Sequence, residues 1–168
     1  LFSSCAEKEL PFEPWEDMQY GAYARLLSSS GEFNFFDVAG SAYTWEVEFY
    51  DENGGNNVAS YNWTVTYRDN AAGTTTGPVD LVSFTSADFT TNGNGLPGLS
   101  GSFTFQAALD AFGFTIADIN GGDSFTFLSE VVKTDGSSFT NETTGPNIKT
   151  SASFAEQKIF LQCRMLFY

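Results

Sequence analysis

The feature of this sequence that most limits its fold is a two-residue alternation of apolar and polar side chains. It is clearest over residues 43–50 and 58–67, where aromatic and aliphatic residues are separated by Thr, Glu, Ser or Asn. Successive side chains of a strand point to opposite faces of a sheet, so the alternation predicts strands with one buried and one solvated face. We expect Trp45 and Phe49 to face the core, and Glu48 on the other face to meet solvent.

Similar segments elsewhere predict a chain built almost entirely of strands. Further strands are predicted at residues 20–28, 80–85, 102–105, 123–133, 137–141 and 158–167. One short helix is predicted over residues 105–112, because Gly113 behind it favours the left-handed conformation of a helix C-cap. Aromatic residues are 17% of the chain, which supplies ample core material. The predicted fold class is all-β: an antiparallel β-sandwich of immunoglobulin or fibronectin III type with one short helix.

Segments rich in Asn, Asp and Gly separate the predicted strands. Residues 51–57 (DENGGNN) are predicted to form a hairpin loop between the two clearest strands, and residues 134–136 a second hairpin. Residues 69–78 and 90–101 are predicted to be glycine-rich loops, the second long enough to be mobile. A third loop of this kind is predicted at residues 143–153.

Charge and the absence of one residue type exclude several functions. The chain has 21 acidic and 7 basic residues and a net charge of −14, so it lacks the clustered cations that nucleic-acid binding needs. It has no histidine, which removes the usual general base at neutral pH and the commonest zinc ligand. The sequence also lacks a Gly-x-Ser-x-Gly nucleophile motif. We therefore predict that the protein is not an enzyme and does not bind nucleic acid.

The N-terminal segment suggests a membrane anchor. Cys5 follows Leu-Phe-Ser-Ser, a pattern typical of the end of a bacterial lipoprotein signal, in which the cysteine is acylated. Residues 6–14 are predicted to be a charged, proline-containing tether. The predicted organisation is a lipobox remnant and acidic tether at residues 1–19 and a single β-sandwich domain at residues 20–168, truncated at its apolar C-terminus. The alternative is a cysteine in an ordinary N-terminal extension.

Two loops concentrate the oxygen ligands that Ca²⁺ prefers. The candidate ligands are Asp51, Glu52, Asn53 and Asn57 in the first loop and Asp118, Asn120 and Asp123 in the second. Neither loop has the bidentate Glu of an EF-hand, and the same residue types form tight turns. The turn interpretation is preferred, calcium is the alternative, and no other cofactor is predicted besides the covalent lipid on Cys5.

Aromatic side chains near the tether are candidates for glycan binding. Trp15 and Tyr20 lie outside the clearest strands and could stack against sugar rings. Trp45 and Trp63 occupy alternating strand positions instead, so we expect them in the core.

Several segments together resemble a group of small lipoproteins common in the Bacteroidota. They are the Ser-Ser-Cys5 start with its acidic tether, residues 20–25 (YGAYAR), residues 121–127 (GGDSFTF) and residues 133–140 (KTDGSSFT). Proteins of this group look like surface or periplasmic sandwich proteins, and some are assembled with TonB-dependent glycan transporters. The resemblance implies an outer-membrane location, acylation of Cys5 and a partner in an outer-membrane protein complex.

Three functions follow as hypotheses. The first is a non-catalytic, lipid-anchored accessory protein of a bacterial outer-membrane complex, for example one associated with a TonB-dependent transporter. The second is a glycan-binding surface lipoprotein. The third is a structural subunit of an extracellular appendage or a virion, in which the strand predicted at residues 158–167 would complete the sheet of a neighbouring subunit.

Overall fold

Two β-sheets pack face to face, with one helix beside them. The computed structural model describes residues 21–140, 142–143 and 158–166. The helix α1 spans Phe105–Phe112, and 3-10 turns lie at Ser86–Asp88 and Ile116–Asp118. The strands are β1 (Tyr23–Gly31), β2 (Phe33–Asn34), β3 (Ala42–Tyr50), β4 (Val58–Asp69), β5 (Thr74–Thr85), β6 (Thr90–Thr91), β7 (Pro97–Thr104), β8 (Ser124–Lys133), β9 (Ser138–Thr140) and β10 (Lys158–Arg164).

The strand order defines a smaller and a larger sheet. The smaller sheet has the order β1-β3-β7-β6 and is antiparallel. The larger sheet has the order β2-β10-β8-β4-β5, and β9 pairs with the half of β8 that β10 leaves open. Its pairings are antiparallel except for the short parallel contact between β2 and β10. The predicted antiparallel sandwich is confirmed, whereas the immunoglobulin or fibronectin III subtype stays a prediction.

The core is an aromatic layer between the two sheets. The indole rings of Trp45 on β3 and Trp63 on β4 lie 5.6 Å apart, and Phe103 stacks on Phe127 at 4.6 Å. Such pairs add about 0.5–1.5 kcal/mol each beyond the area that they bury. The inward positions predicted for β3 and β4 are confirmed, because their aromatic side chains are almost fully buried.

Helix α1 begins and ends where the sequence predicts. The hydroxyl of Thr104 accepts a hydrogen bond from the backbone N–H of Ala107, as an N-cap does. Gly113 has a φ of 69° and forms the left-handed C-cap. The helix buries Phe105 and Leu109 and packs against β5 and β7.

The loop at residues 51–57 is not a hairpin. The strands on either side of it, β3 and β4, belong to different sheets, so the loop crosses from one sheet to the other. Their apolar faces meet across the core, where Phe49 contacts Tyr61 with ring centroids 5.3 Å apart. A hairpin would have placed both faces on the same side of one sheet. Turn composition indicates only that the chain reverses, and the packing of two apolar faces decides how.

The two predicted glycine-rich loops contain strand residues. Residues 69–78 form the hairpin between β4 and β5, and only residues 70–73 lie outside the two strands. Residues 90–101 hold β6 and the first half of β7, joined by a turn at residues 92–96. Strand pairing supplies the stabilisation that the weak β-propensity of Gly and Asn lacks, which is why composition alone predicted loops.

Candidate functional site

The first predicted calcium loop satisfies its own polar groups. The carboxylate of Asp51 accepts hydrogen bonds from the backbone N–H groups of Asn53 (2.6 Å), Gly55 (2.8 Å) and Asn57 (2.8 Å). The carboxylate of Glu52 accepts two bonds from Lys133 Nζ, at 2.7 and 3.0 Å, and these lower the pKa of Glu52. The oxygen atoms predicted as ligands therefore shape the crossing loop and hold it to β8.

The second predicted calcium loop is organised around two separate carboxylates. Asp118 accepts bonds from the backbone N–H (2.7 Å) and the hydroxyl (2.8 Å) of Thr115, and so caps a 3-10 turn. Asp123 is 1% exposed and accepts bonds from the Tyr67 hydroxyl (2.5 Å) and the backbone N–H of Asn120 (2.8 Å). Burial raises the pKa of Asp123, but these bonds outweigh it and leave that pKa below its ordinary value.

Neither loop brings its carboxylates together around one point. Within residues 21–140, 142–143 and 158–166, no group of three or more His, Cys, Asp or Glu side chains is arranged to hold a metal ion. Calcium binding by these residues stays a prediction, and what the structure shows for them is turn formation.

Three predicted site residues, Cys5, Trp15 and Tyr20, lie outside the described residues. The second cysteine, Cys163, is a free thiol that is completely buried on the inner face of β10. Burial, with a smaller contribution from Asp123, raises the pKa of the Cys163 thiol to about 12. This thiol is therefore a packing group with little nucleophilic character at neutral pH.

A groove lies on the outer face of the larger sheet. Its volume is 710 Å³, within the range of ligand pockets. Four strands contribute to it, β4, β5, β8 and β9. The groove is lined by Asn62, Trp63, Thr64, Asp80, Leu81, Val82, Ser83, Leu128, Ser129, Glu130, Thr140 and Glu142. The indole of Trp63 and the hydroxyl side chain of Ser129 are buried, so these two residues contribute to the floor.

Strand register arranges the polar side chains of the groove in rows. Ser83, Asn62 and Glu130 are cross-strand neighbours on β5, β4 and β8. The Ser83 hydroxyl donates to Asn62 Oδ1 (2.5 Å), and Asn62 Nδ2 donates to Glu130 Oε2 (3.3 Å). In the next row Thr64 lies between Asp80 and Leu128. A register shift at residues 63–64 lets Asp80 pair opposite Thr64.

An exposed aromatic ring lies beside this groove. Phe160 on β10 pairs with Thr126 of β8, and its neighbour Lys158 pairs with Leu128 in the groove. Phe160 and Leu128 are thus diagonal neighbours on the same face, within reach of an aromatic side chain. Phe160 is 60% exposed, whereas the adjacent inward residues Ile159 and Leu161 are buried.

The outer face of the smaller sheet carries a charged cluster that the sequence did not predict. Glu48, expected to meet solvent, is completely buried, so that prediction is wrong. The turn between β6 and β7 covers it: Asn92 Nδ2 (2.6 Å) and Asn94 Nδ2 (2.8 Å) donate to Glu48 Oε2. The Tyr50 hydroxyl donates to Glu48 Oε1 (2.9 Å), and the guanidinium of Arg25 forms an ion pair with it.

Aromatic rings also contact this cluster. The guanidinium carbon of Arg25 lies 5.2 Å from the centroid of the Tyr50 ring, which in turn stacks on Tyr23 at 5.2 Å. Burial raises the pKa of Glu48, but the hydrogen bonds from Asn94, Asn92 and Tyr50 and the charge of Arg25 leave that pKa below its ordinary value. A carboxylate with this many donors stabilises the fold and offers little to a ligand.

The rest of that face is rich in hydroxyl groups. Beyond a bulge at Leu27, the outward rows are Ser28–Glu46–Ser100 and Ser30–Thr44–Ser102. They line a shallow cleft of 650 Å³. Its hydroxyls bond across strands, as in the 3.0 Å pair between Ser30 and Thr44.

The groove on the larger sheet is the site that sequence analysis missed. The outward polar positions of residues 58–67 were visible as a solvated strand face, including Asn62 and Thr64. Nothing in the sequence indicated that β5 and β8 flank this strand and place Asp80 and Glu130 beside it.

Comparisons with known proteins do not assign a function. No protein-family model matches the sequence, and no curated protein matches it. Among the described residues, no helix has the length and apolar character needed to cross a membrane. Function must therefore be argued from the side chains.

Proposed function

We propose that this chain is a non-catalytic accessory protein of a bacterial outer-membrane complex, anchored through a lipid on Cys5. In this role its sandwich holds a ligand at the membrane surface for the complex. The complex is, for example, one that contains a TonB-dependent transporter. The ligand lies in the groove on the outer face of the larger sheet.

The groove carries this proposal. Its 710 Å³ combine hydroxyl, amide and carboxylate groups with the apolar side chains of Leu81, Val82 and Leu128, the mixture that ligand pockets use. Strands position these groups more rigidly than loops would, so little ordering entropy is lost on binding.

Binding without chemistry is supported by the residues themselves. The chain has no histidine. The two buried carboxylates of the described residues, Glu48 and Asp123, have pKa values below their ordinary range and accept hydrogen bonds from fixed donors. A general acid or base working near pH 7 needs its pKa moved towards that pH, and theirs move away from it.

The alternative role as an appendage or virion subunit requires the last strand to complete a neighbour's sheet. In the structure one edge of β10 pairs with β8 along five residues, and its other edge pairs with β2 at Cys163 and Arg164. Among the described residues, part of one edge of β10 is therefore left for a neighbour's strand. The glycan-binding alternative is compatible with the groove and concerns the identity of its ligand.

The anchor is tested by metabolic labelling of the full precursor with a palmitate analogue in a bacterium that exports lipoproteins. We expect label on the wild-type chain and none on the Cys5→Ser variant. Cys163→Ser is the matched control, because it removes the other cysteine and should leave the label unchanged. Equal labelling of wild type and Cys5→Ser would contradict the anchor.

The accessory role is tested by native electrophoresis of gently solubilised outer membranes. We expect the tagged chain to migrate with an outer-membrane transporter and to lose this association in Cys5→Ser. Migration of the wild-type chain as a lone monomer would contradict it.

A further inference from the structure

We infer that the groove on the larger sheet binds a neutral oligosaccharide, with Phe160 as the surface on which a sugar ring stacks. The inference rests on the proposed ligand-holding function and names the chemical class of the ligand. It assigns the stacking role to Phe160 on β10 in place of Trp15 or Tyr20.

The exposure of Phe160 is the first step. The ring is 60% exposed on an ordered strand whose other outward residues are Lys158, Gln162 and Arg164. Leaving so much of a Phe side chain in water forgoes part of the hydrophobic free energy that covering it would supply. The C–H face of a pyranose ring is apolar and flat, and covering Phe160 with it recovers part of that free energy.

The polar rows are the second step. Sugar hydroxyls both donate and accept hydrogen bonds, and the row Ser83–Asn62–Glu130 presents hydroxyl, amide and carboxylate groups to the groove. The bonds within this row fix the side chains before a ligand arrives. Leu128 separates the row from Phe160, so polar and apolar contacts lie on adjacent strands, as a sugar with hydroxyl edges and an apolar face requires.

Charge is the third step. The described residues that line the groove include three carboxylates, Asp80, Glu130 and Glu142, and no Lys or Arg, and the cation Lys158 lies beside them, opposite Leu128 on the same face. Sulfated, phosphorylated and uronic-acid glycans would meet three like charges there, which outnumber the neighbouring Lys158. A neutral sugar donates its hydroxyl hydrogens to the carboxylates and needs no ion to balance them, which is why the groove selects neutral glycans.

The inference is tested by native affinity electrophoresis of the full-length Cys5→Ser protein through gels containing polysaccharides. The neutral probes are amylopectin, xylan, galactomannan and mixed-linkage β-glucan, and the anionic probe is polygalacturonate. We expect retardation by at least one neutral polysaccharide and none by polygalacturonate. Binding of oligolysine, measured by calorimetry, tests the competing possibility that the carboxylates recognise a cationic peptide.

Substitutions then locate the site. Phe160→Ala should weaken binding to the retarding polysaccharide by about tenfold or more, and Glu130→Gln, which keeps the shape, by several-fold. Phe36→Ala is the matched control, because that ring is 54% exposed and lies outside the groove. Each variant is first compared with wild type by thermal unfolding, so that a folding defect is recognised as such.

Several results would overturn the inference. They are retardation by none of the neutral polysaccharides, affinity for polygalacturonate or oligolysine in their place, or neutral-glycan binding that Phe160→Ala and Glu130→Gln leave unchanged. An acylated chain that migrates with a transporter but binds no neutral glycan removes the inference and keeps the accessory role. Neutral-glycan binding by a chain whose Cys5 carries no lipid keeps the inference and removes the proposed anchor.

Discussion

Replacing Glu48 by Ala should be among the most destabilising substitutions on the outer faces of the two sheets. Glu48 lies on the outer face of β3, where a polar residue ordinarily meets water, yet it is completely buried. Three side-chain hydrogen bonds, from Tyr50, Asn92 and Asn94, end on its carboxylate, and Arg25 pairs with it.

The expected loss of stability is about 3 kcal/mol. Removing one partner of a buried ion pair costs about 3–5 kcal/mol, mainly because the other polar groups lose their partner. The lower end applies because the Arg25 side chain is 30% exposed and recovers some hydration. For a domain of this size the change corresponds to a fall in Tm of roughly 6–12 °C.

Chemical denaturation at pH 7 measures this, with Glu46→Ala as the matched control. Glu46 lies on the same strand and face, and it accepts only a 3.2 Å hydrogen bond from the exposed hydroxyl of Ser28. We expect Glu46→Ala to change the free energy of unfolding by no more than about 0.5 kcal/mol. Equal effects of the two substitutions would refute the argument that burial and multiple donors make Glu48 structural.

The pH dependence gives an independent check. The pKa of Glu48 is lowered in the folded protein, so its ionisation stabilises the fold above the unfolded-state pKa of about 4.3. This contribution is lost as the pH falls through the folded-state pKa. The stability difference between wild type and Glu48→Gln should therefore be full at pH 7 and should shrink below about pH 4. A difference that grows on acidification would contradict the assigned sign.

Two further predictions concern the core. Gly101→Ala should destabilise the protein by about 1–3 kcal/mol in chemical denaturation, because the new Cβ would overlap the indole of Trp45. Gly93→Ala is the control and should change stability by less than about 1 kcal/mol, because no heavy atom lies within 4 Å of its new Cβ. Equal effects of the two substitutions would count against close packing at Gly101. In the Cys5→Ser protein, Cys163 should resist iodoacetamide at pH 8 in the folded state and react fully in guanidinium, because the folded thiol is buried and has a pKa of about 12. Equal alkylation rates of the folded and the denatured protein, measured by mass spectrometry, would contradict this.

The local sequence pattern was sufficient to predict most of the strands and the helix. The alternation over residues 43–50 and 58–67 located β3 and β4 and their buried faces, because strand geometry fixes a period of two. The end of the helix could be predicted because a C-cap depends only on neighbouring residues, and Gly113 adopts the left-handed conformation that such a cap needs. The hairpin predicted at residues 134–136 joins β8 to β9 for the same reason.

Local pattern failed where a residue's environment depends on distant strands. Glu48 has the sequence context of a solvated residue, and it is buried because a turn some 44 residues later, carrying Asn92, folds over it. Residues 51–57 have the composition of a hairpin loop, but the pairing of β3 with β7 and of β4 with β8 carries the chain to another sheet.

The sequence by itself therefore determined that the chain is built mainly of strands, which face of the clearest strands is apolar, and which residue types are scarce or absent. The tertiary structure alone decided which strands are neighbours, and with that the composition of the groove. Asn62 is separated from Glu130 by 68 residues along the chain, yet the two side chains share a hydrogen bond. The physical reason is that a strand's two faces follow from backbone geometry, whereas its neighbours follow from the burial of all the apolar faces together.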